Sequence, residues 1–149
     1  MFTRRRFIAG CGGLSAFAGL PAAFGQSALP PVVVYKSPTC GCCGEWVKHM
    51  EANGFKVRTH DVADTGAIRR KLGVPDRMAS CHTAVVAGYL IEGHVPAADV
   101  KRLLREKSKA KGLAVPGMVV GSPGMEQGTP EPYATIAFGE HASAVFQQH

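Results

Sequence analysis

Residues 32–46 read VVVYKSPTCGCCGEW, and this stretch decides the fold. It opens with four β-branched or aromatic residues, which predict a buried strand. A proline turn and three cysteines within four positions follow. Residues 45–53 then place Trp46, Val47 and Met50 on one side of a predicted helix. The stretch therefore predicts a strand that leads through a cysteine turn into a helix.

The remaining pattern completes an α/β domain. The further predicted elements are strand 55–62, helix 64–72, strands 83–87 and 89–92 around Gly88, and helix 97–109. A cysteine turn at a helix start within a βαβ unit predicts a thioredoxin-like single domain. From about Gly112 the chain is rich in glycine and proline, and we expect a loop-like C-terminal extension with one late strand at 133–138.

The first 25 residues have the features of an export signal. Residues 3–8 (TRRRFI) match the twin-arginine pattern, a weakly apolar stretch follows, and residues 23–25 (AFG) suit a signal peptidase. We expect residues 1–25 to be a twin-arginine signal peptide cleaved after Gly25, and residues 26–149 to form the mature domain in the periplasm. The alternatives are an N-terminal membrane anchor and a lipoprotein modified at Cys11.

Charge and hydropathy argue against nucleic-acid binding and against a membrane span in the mature chain. The chain of 149 residues carries 17 Lys and Arg against 11 Asp and Glu, a net charge of +6. Removal of residues 1–25 takes away three arginines, which leaves a net charge of +3 on 124 residues. That charge gives no support to nucleic-acid binding. No apolar run in the mature chain approaches the roughly 20 residues of a membrane span.

Four cysteines remain in the mature chain: Cys40, Cys42, Cys43 and Cys81. Cys40 and Cys43 form a C-x-x-C pair, and a helix N-terminus should lower thiolate pKa values in this turn well below about 8.5. A dithiol exchanger needs two thiols. A third adjacent thiol therefore favours a thiophilic metal, which Cys81 would complete as a fourth ligand. The alternative is plain disulfides, Cys40–Cys43 or a bond to Cys81.

Histidine and methionine residues supply further soft-ligand candidates. His82 follows Cys81 and places an imidazole within reach of the site, or else is a hydrogen-bonded loop residue. Met118 and Met125 each follow a Pro-Gly pair in a loop, where thioethers suit Cu(I). Their alternative role is a hydrophobic lid over the domain. His94, at a strand-to-helix turn, is expected to be structural or to support a ligand.

Four motifs in order resemble the CopG-type copper-resistance family of periplasmic metal-binding proteins. They are residues 34–43 (VYKSPTCGCC), 80–83 (SCHT), 92–97 (EGHVPA) and the paired Pro-Gly-Met segments of 114–126. The resemblance covers about residues 32–138. It implies a thioredoxin-like fold and copper bound by the motif cysteines, which map onto Cys40, Cys42, Cys43 and Cys81. Periplasmic copper handling, with Cu(I)/Cu(II) redox chemistry, follows from the resemblance alone.

The leading hypothesis is a periplasmic protein that holds Cu(I), as one ion or as several thiolate-bridged ions, with zinc a weaker candidate. The metal ion is its expected ligand, and the sequence identifies no protein partner. The alternative is a thiol–disulfide oxidoreductase in which Cys40 attacks and Cys43 resolves. A third hypothesis is a structural zinc or disulfide module that presents a surface to a partner. A metal-free site is expected to be able to close as a Cys40–Cys43 disulfide.

Overall fold

A computed structural model describes residues 28–149 as a seven-stranded mixed sheet with three α-helices. The strands run in the order β2-β1-β3-β4-β5-β6-β7. Their bounds are β1 Val32–Lys36, β2 Val57–Asp61, β3 His82–Val86, β4 Tyr89–Glu92, β5 Gly112–Ala114, β6 Ala134–Phe138 and β7 Ser143–Gln148. β1 is parallel to β2 and β4 is parallel to β5, whereas the other neighbouring pairs are antiparallel.

The helices are α1 Gly41–Ala52, α2 Thr65–Leu72 and α3 Ala97–Glu106, with a short 3-10 turn at Asp76–Met78. Strand residues alternate between the two faces of the sheet, and each face carries a separate hydrophobic cluster. The larger cluster joins β1, β3, β4 and β5 to Trp46 and Met50 of α1 and to Val100 and Leu103 of α3. On the other face, Leu72 of α2 packs against the smaller cluster around Phe138. The helices thus cover both faces.

Local signals define several boundaries. The Asp64 side chain accepts a hydrogen bond from Ala67 N and caps α2, which ends at Gly73 in the left-handed conformation. β3 and β4 form a hairpin whose two turn residues, Ala87 and Gly88, both have positive φ (47° and 85°). Such a turn matches the twist of paired strands. The predicted capped helix and hairpin are therefore confirmed.

Two helix boundaries and the C-terminal region differ most from the sequence predictions. α1 begins at Gly41 rather than at residue 45, so the cysteine motif forms the first helical turn. α3 ends at Glu106, because Lys107 adopts the left-handed conformation with φ 48°. The region from Gly112 supplies three strands, where one was predicted. The expectation that it is loop-like is wrong for β5, which pairs with β4 and β6, and for β7, which pairs with the neighbouring β6.

The α/β class is confirmed. The predicted signal peptide, its cleavage after Gly25 and the alternative modification at Cys11 all lie outside the described residues. Within residues 28–149, no helix is both long enough and apolar enough to cross a membrane.

Candidate metal centre

The carboxyl end of β1 and the start of β3 bring together the four cysteines that were predicted as metal ligands. Cys40 is the residue before α1, and Cys42 and Cys43 lie in its first turn. Cys81 immediately precedes β3, which pairs with β1 in an antiparallel register that sets Lys36 opposite His82. The carboxyl end of β1 and the amino end of β3 therefore meet at one edge of the sheet. This pairing explains how residues about 40 positions apart share one site.

The sulfur atoms form a compact group. All four lie within 4.8 Å of one another. Cys40 and Cys43 are joined by a disulfide, and Cys42 and Cys81 are free thiols. Cys42 Sγ is 3.6 Å from Cys40 Sγ, and Cys81 Sγ is 3.5 Å from Cys43 Sγ. Each free thiol thus lies beside one end of the disulfide.

Two histidines extend this group on the Cys81 side. His94 Nε2 is 3.0 Å from Cys81 Sγ, and His82 Nδ1 is 3.3 Å from the same sulfur. His94 Nδ1 lies 2.7 Å from the carbonyl oxygen of Pro123, an acceptor only, so Nδ1 carries the proton. In the neutral ring, Nε2 then directs a lone pair toward Cys81. Cys81, His82 and His94 therefore form a second group of potential metal ligands.

Burial keeps these side chains neutral. Burial lowers the pKa of His82 to about 3, with His94 nearby as a smaller cause. It also lowers the pKa of His94, although the Pro123 carbonyl acts in the opposite direction. Burial, with Cys42 nearby as a smaller cause, raises the pKa of the Cys81 thiol to about 12. The low thiolate pKa expected at the helix start therefore does not extend to Cys81, and a metal ion must displace its proton.

His82 packs between two other rings, and one of its ring nitrogens has no hydrogen-bond partner in the described part of the chain. Its ring centroid is 4.5 Å from that of Trp46 and 5.2 Å from that of His94. The side chain is fully buried, and in the described part of the chain its Nε2 has no hydrogen-bond partner. The nitrogen without a partner is Nε2, on the other side of the ring from the Nδ1 that lies beside Cys81, and a buried polar atom of this kind is costly unless something else engages it.

Both Pro-Gly-Met loops contact the segments that carry the site. Gly117 N donates to Ala79 O at 2.9 Å, close to Cys81 along the chain. A Cβ on Gly124 would lie 2.8 Å from both Cys42 O and Trp46 N, so the second loop packs directly on the first turn of α1. Only a residue without a side chain allows that approach.

The two methionines of these loops differ in exposure. Met118 is 57% exposed, so the interpretation of this residue as part of a hydrophobic lid is wrong. Met125 is half-buried. The roles of Met118 and Met125 as metal ligands stay predictions.

His94 lies nearer the cysteines than its place at a strand-to-helix turn indicates, and the hairpin contains the signal that predicts this contact. The turn at Ala87 and Gly88 sets Thr83 opposite Glu92. Continued for two more positions, the same register sets Cys81 opposite His94. A hairpin predicted from its turn residues therefore also predicts that these two side chains meet.

The donor chemistry fits a thiophilic metal once the disulfide is reduced. Sulfur atoms bound tetrahedrally by bonds of about 2.3 Å lie about 3.8 Å apart. The Cys40–Cys42 and Cys43–Cys81 sulfur separations, 3.6 and 3.5 Å, are close to this value. The Cys40–Cys43 pair, bonded at 1.99 Å, must open before both sulfurs act as thiolate ligands. Thiolates with flanking imidazoles suit copper and zinc.

Fold and site together define an α/β protein with a cysteine cluster that could bind a metal ion. The model of a family described as "Protein of unknown function, DUF411" matches residues 78–125. Two solved structures, "Copper resistance protein copG- Form 2" and "Copper resistance protein copG- Form 1", are each 46% identical to this chain. Each match covers 81% of this chain and 98% of the other, with TM-scores of 0.77 and 0.76. The chain belongs to the CopG copper-resistance family. The comparison with curated proteins found no match.

Proposed function

We propose that this protein binds Cu(I) through the thiolates of Cys40, Cys42, Cys43 and Cys81 and acts in copper handling. The observation that carries the proposal is the grouping of four sulfur atoms within 4.8 Å. Thiolates are soft ligands, which favour Cu(I) over Cu(II). The names of the related structures, which are copper resistance proteins, support copper as the metal.

His94 and His82 are proposed to border the thiolate cluster on the Cys81 side. Their position at 3.0 and 3.3 Å from Cys81 Sγ supports a site for more than one ion, because one sulfur can bridge two metals. Met118 and Met125 are proposed as outer soft ligands, since their loops contact the chain around Cys81 and Cys42.

Metal binding by all four cysteines requires reduction of the Cys40–Cys43 disulfide. A dithiol reductant supplies two electrons and two protons, and becomes a disulfide itself. We expect metal loading and disulfide formation to compete for Cys40 and Cys43. The proposed compartment is the periplasm, reached by the twin-arginine signal, where this competition is strongest.

The domain is proposed to be thioredoxin-like. The order β2-β1-β3-β4, with a βαβ unit before a hairpin and a helix after it, supports this assignment. The C-x-x-C motif at the start of α1, inside that βαβ unit, is the second support.

The direct test offers the reduced protein equal amounts of Cu(I) and Zn(II), followed by metal analysis and a count of free thiols. We expect retention of copper and protection of the four thiols from alkylation. Replacement of any of the four cysteines by alanine should lower the copper retained. Lys48→Ala, an exposed change on the same helix as the cysteine motif, is the matched control. Retention of zinc alone would show the copper assignment to be wrong.

A second candidate function is thiol–disulfide exchange. The observation in its favour is the Cys40–Cys43 disulfide at the start of α1. It predicts reduction of insulin disulfides that survives Cys81→Ser but is lost in Cys40→Ser. Absence of turnover with any thiol couple would remove this candidate and leave copper binding unaffected.

A further inference from the structure

Glu92 is a buried carboxylate that holds the chain on both sides of Cys81 and His82. It lies at the end of β4 and is 0% exposed. Burial of a carboxylate is unfavourable unless donors and a counter-charge surround it. Its Oε1 accepts a hydrogen bond from Ser80 N at 2.8 Å, and its Oε2 accepts one from Thr83 Oγ1 at 2.6 Å. Because these donors directly precede and follow the Cys81-His82 pair, one carboxylate fixes both ends of it.

Arg69 of α2 supplies the counter-charge. Its Nη1 is 3.8 Å from Glu92 Oε1, and its side chain is 15% exposed. Burial raises the pKa of Glu92, while Thr83, Ser80 and Arg69 lower it. Removal of the carboxylate would leave the Arg69 guanidinium and the Ser80 amide without their partner.

The same network reaches the first Pro-Gly-Met loop. The Ser80 hydroxyl donates to the carbonyl of Gly117, whose own amide donates to Ala79 O at 2.9 Å. Gly93, directly after Glu92, has φ +72°, and a side chain there would collide with Ser80. The end of β4, the segment before Cys81 and this loop are therefore locked together around one carboxylate.

We propose that Glu92 is a positioning residue for the metal centre. Through Ser80 and Thr83 it holds Cys81 Sγ at 3.5 Å from Cys43 Sγ and beside His94. This inference rests on the proposed metal binding, but its effect on Cys81 exists in the metal-free protein as well. The positioning of Cys81 by Glu92 can therefore be tested independently of metal binding.

The test compares Glu92→Ala with Asp99→Ala. Asp99 is the matched control, because it is another buried carboxylate that accepts two hydrogen bonds, from Thr135 and His149, between α3 and β6. In the reduced, metal-free protein, we expect Glu92→Ala to raise the alkylation rate of Cys81 by about tenfold relative to that of Cys42. Asp99→Ala should leave this ratio unchanged.

Cu(I) competition against a chromogenic chelator gives the second readout. We expect Glu92→Ala to weaken Cu(I) binding at least about tenfold, as loss of outer-shell partners does, and Glu92→Gln to restore most of it. If Glu92→Ala does not fold, Thr83→Val takes its place in the comparison, because this variant removes one of the two hydrogen-bond donors to Glu92. Equal Cys81 alkylation and equal Cu(I) affinity in the Glu92 and Asp99 variants would overturn the positioning role. Failure of the wild type to bind Cu(I) would overturn the proposed function, while the alkylation result still decides the role of Glu92.

Discussion

Two polar clusters in this protein are satisfied to different degrees. In the aspartate cluster, Asp99 Oδ2 accepts hydrogen bonds from Thr135 Oγ1 at 2.6 Å and from His149 Nε2 at 2.9 Å. The His149 ring also stacks on Tyr133, with centroids 4.7 Å apart. The Asp99 carboxylate, the Thr135 hydroxyl and the His149 ring thus each have a hydrogen-bond partner within the chain. Such a cluster resembles the satisfied polar networks that stabilise a fold.

The cysteine–histidine cluster, made of Cys40, Cys42, Cys43, Cys81, His82 and His94, is satisfied less completely. His82 Nε2 is buried without a partner in the described part of the chain, and two of the four cysteines are free thiols. Cys81 Sγ has two imidazole nitrogens within 3.3 Å, yet all three groups are kept neutral by burial. The difference between the clusters separates a structural network from a group of side chains that, under the proposed function, a metal ion completes.

The largest expected effect is on metal binding at Cys81. Cys81→Ala removes the sulfur that lies between the other cysteines and the two histidines. We expect the affinity of the reduced protein for Cu(I) to fall by more than about 100-fold, beyond the effect usual for outer-shell changes. Competition with a Cu(I) chelator measures it. Asp99→Ala should leave the affinity within about twofold of the wild type, and a similar loss in both variants would contradict the distinction between the clusters.

The reverse effect is expected in the aspartate cluster. Asp99→Ala removes the carboxylate that accepts from Thr135 and His149, and leaves these two groups only each other, at 3.2 Å, as partners. We expect the free energy of unfolding to fall by about 2–3 kcal/mol. Urea denaturation of the metal-free protein measures it. A double-mutant cycle with Thr135→Val should show coupling, since both substitutions remove the same hydrogen bond. Additive effects would argue against the network.

Several elements of the fold and the cysteines of the site were predictable from local sequence. The first strand, predicted at 32–35 and observed at Val32–Lys36, the capped helix at Asp64 and the turn at Gly88 each depend on neighbouring residues. The four cysteines were also identified together, because their residue type and spacing are unusual. The early start of α1 at Gly41 was missed, since glycine and cysteine have low helix propensity and the first turn is in contact with the distant loop at Gly124.

The rest depends on contacts between distant segments. β5 has only three residues and is defined by its pairing with β4 and β6. β7 is mostly exposed, so it lacks the alternation of apolar and polar residues that marks a half-buried strand. The aspartate cluster joins residues up to 50 positions apart and carries no motif. His94 was the one distant contact that the hairpin register could have predicted.

A smaller effect is expected where the second Pro-Gly-Met loop supports the cysteine–histidine cluster. Gly124 has φ +87°, and a Cβ would lie 2.8 Å from the backbone of α1. Gly117 has φ +76°, but nothing lies within 4 Å of its Cβ position. We therefore expect Gly124→Ala to destabilise the protein by about 1 kcal/mol more than Gly117→Ala. Thermal unfolding of the two variants measures the difference, and equal stability would show that the loop does not pack closely on α1.

The smallest expected effect concerns the link between the helices that carry the two clusters. His49 of α1 accepts a hydrogen bond from Ala97 N at the start of α3, at 3.0 Å, and only an unprotonated nitrogen can accept it. Burial lowers the pKa of His49, against the opposing influence of Glu126 and with a small further contribution from Lys101.

The neutral form of His49 therefore contributes to the free energy of unfolding. This contribution is fully present above the ordinary histidine pKa of about 6.5 and is lost as the pH falls below that value. His49→Gln supplies an amide oxygen that accepts at any pH. The difference in unfolding free energy between wild type and His49→Gln should consequently shift in favour of the variant between pH 8 and pH 5, as followed by urea denaturation in matched buffers. Because His82 and His94 titrate equally in both proteins, their contributions cancel in this difference. A difference that is constant with pH would mean that His49 does not depend on its neutral form to connect α1 to α3.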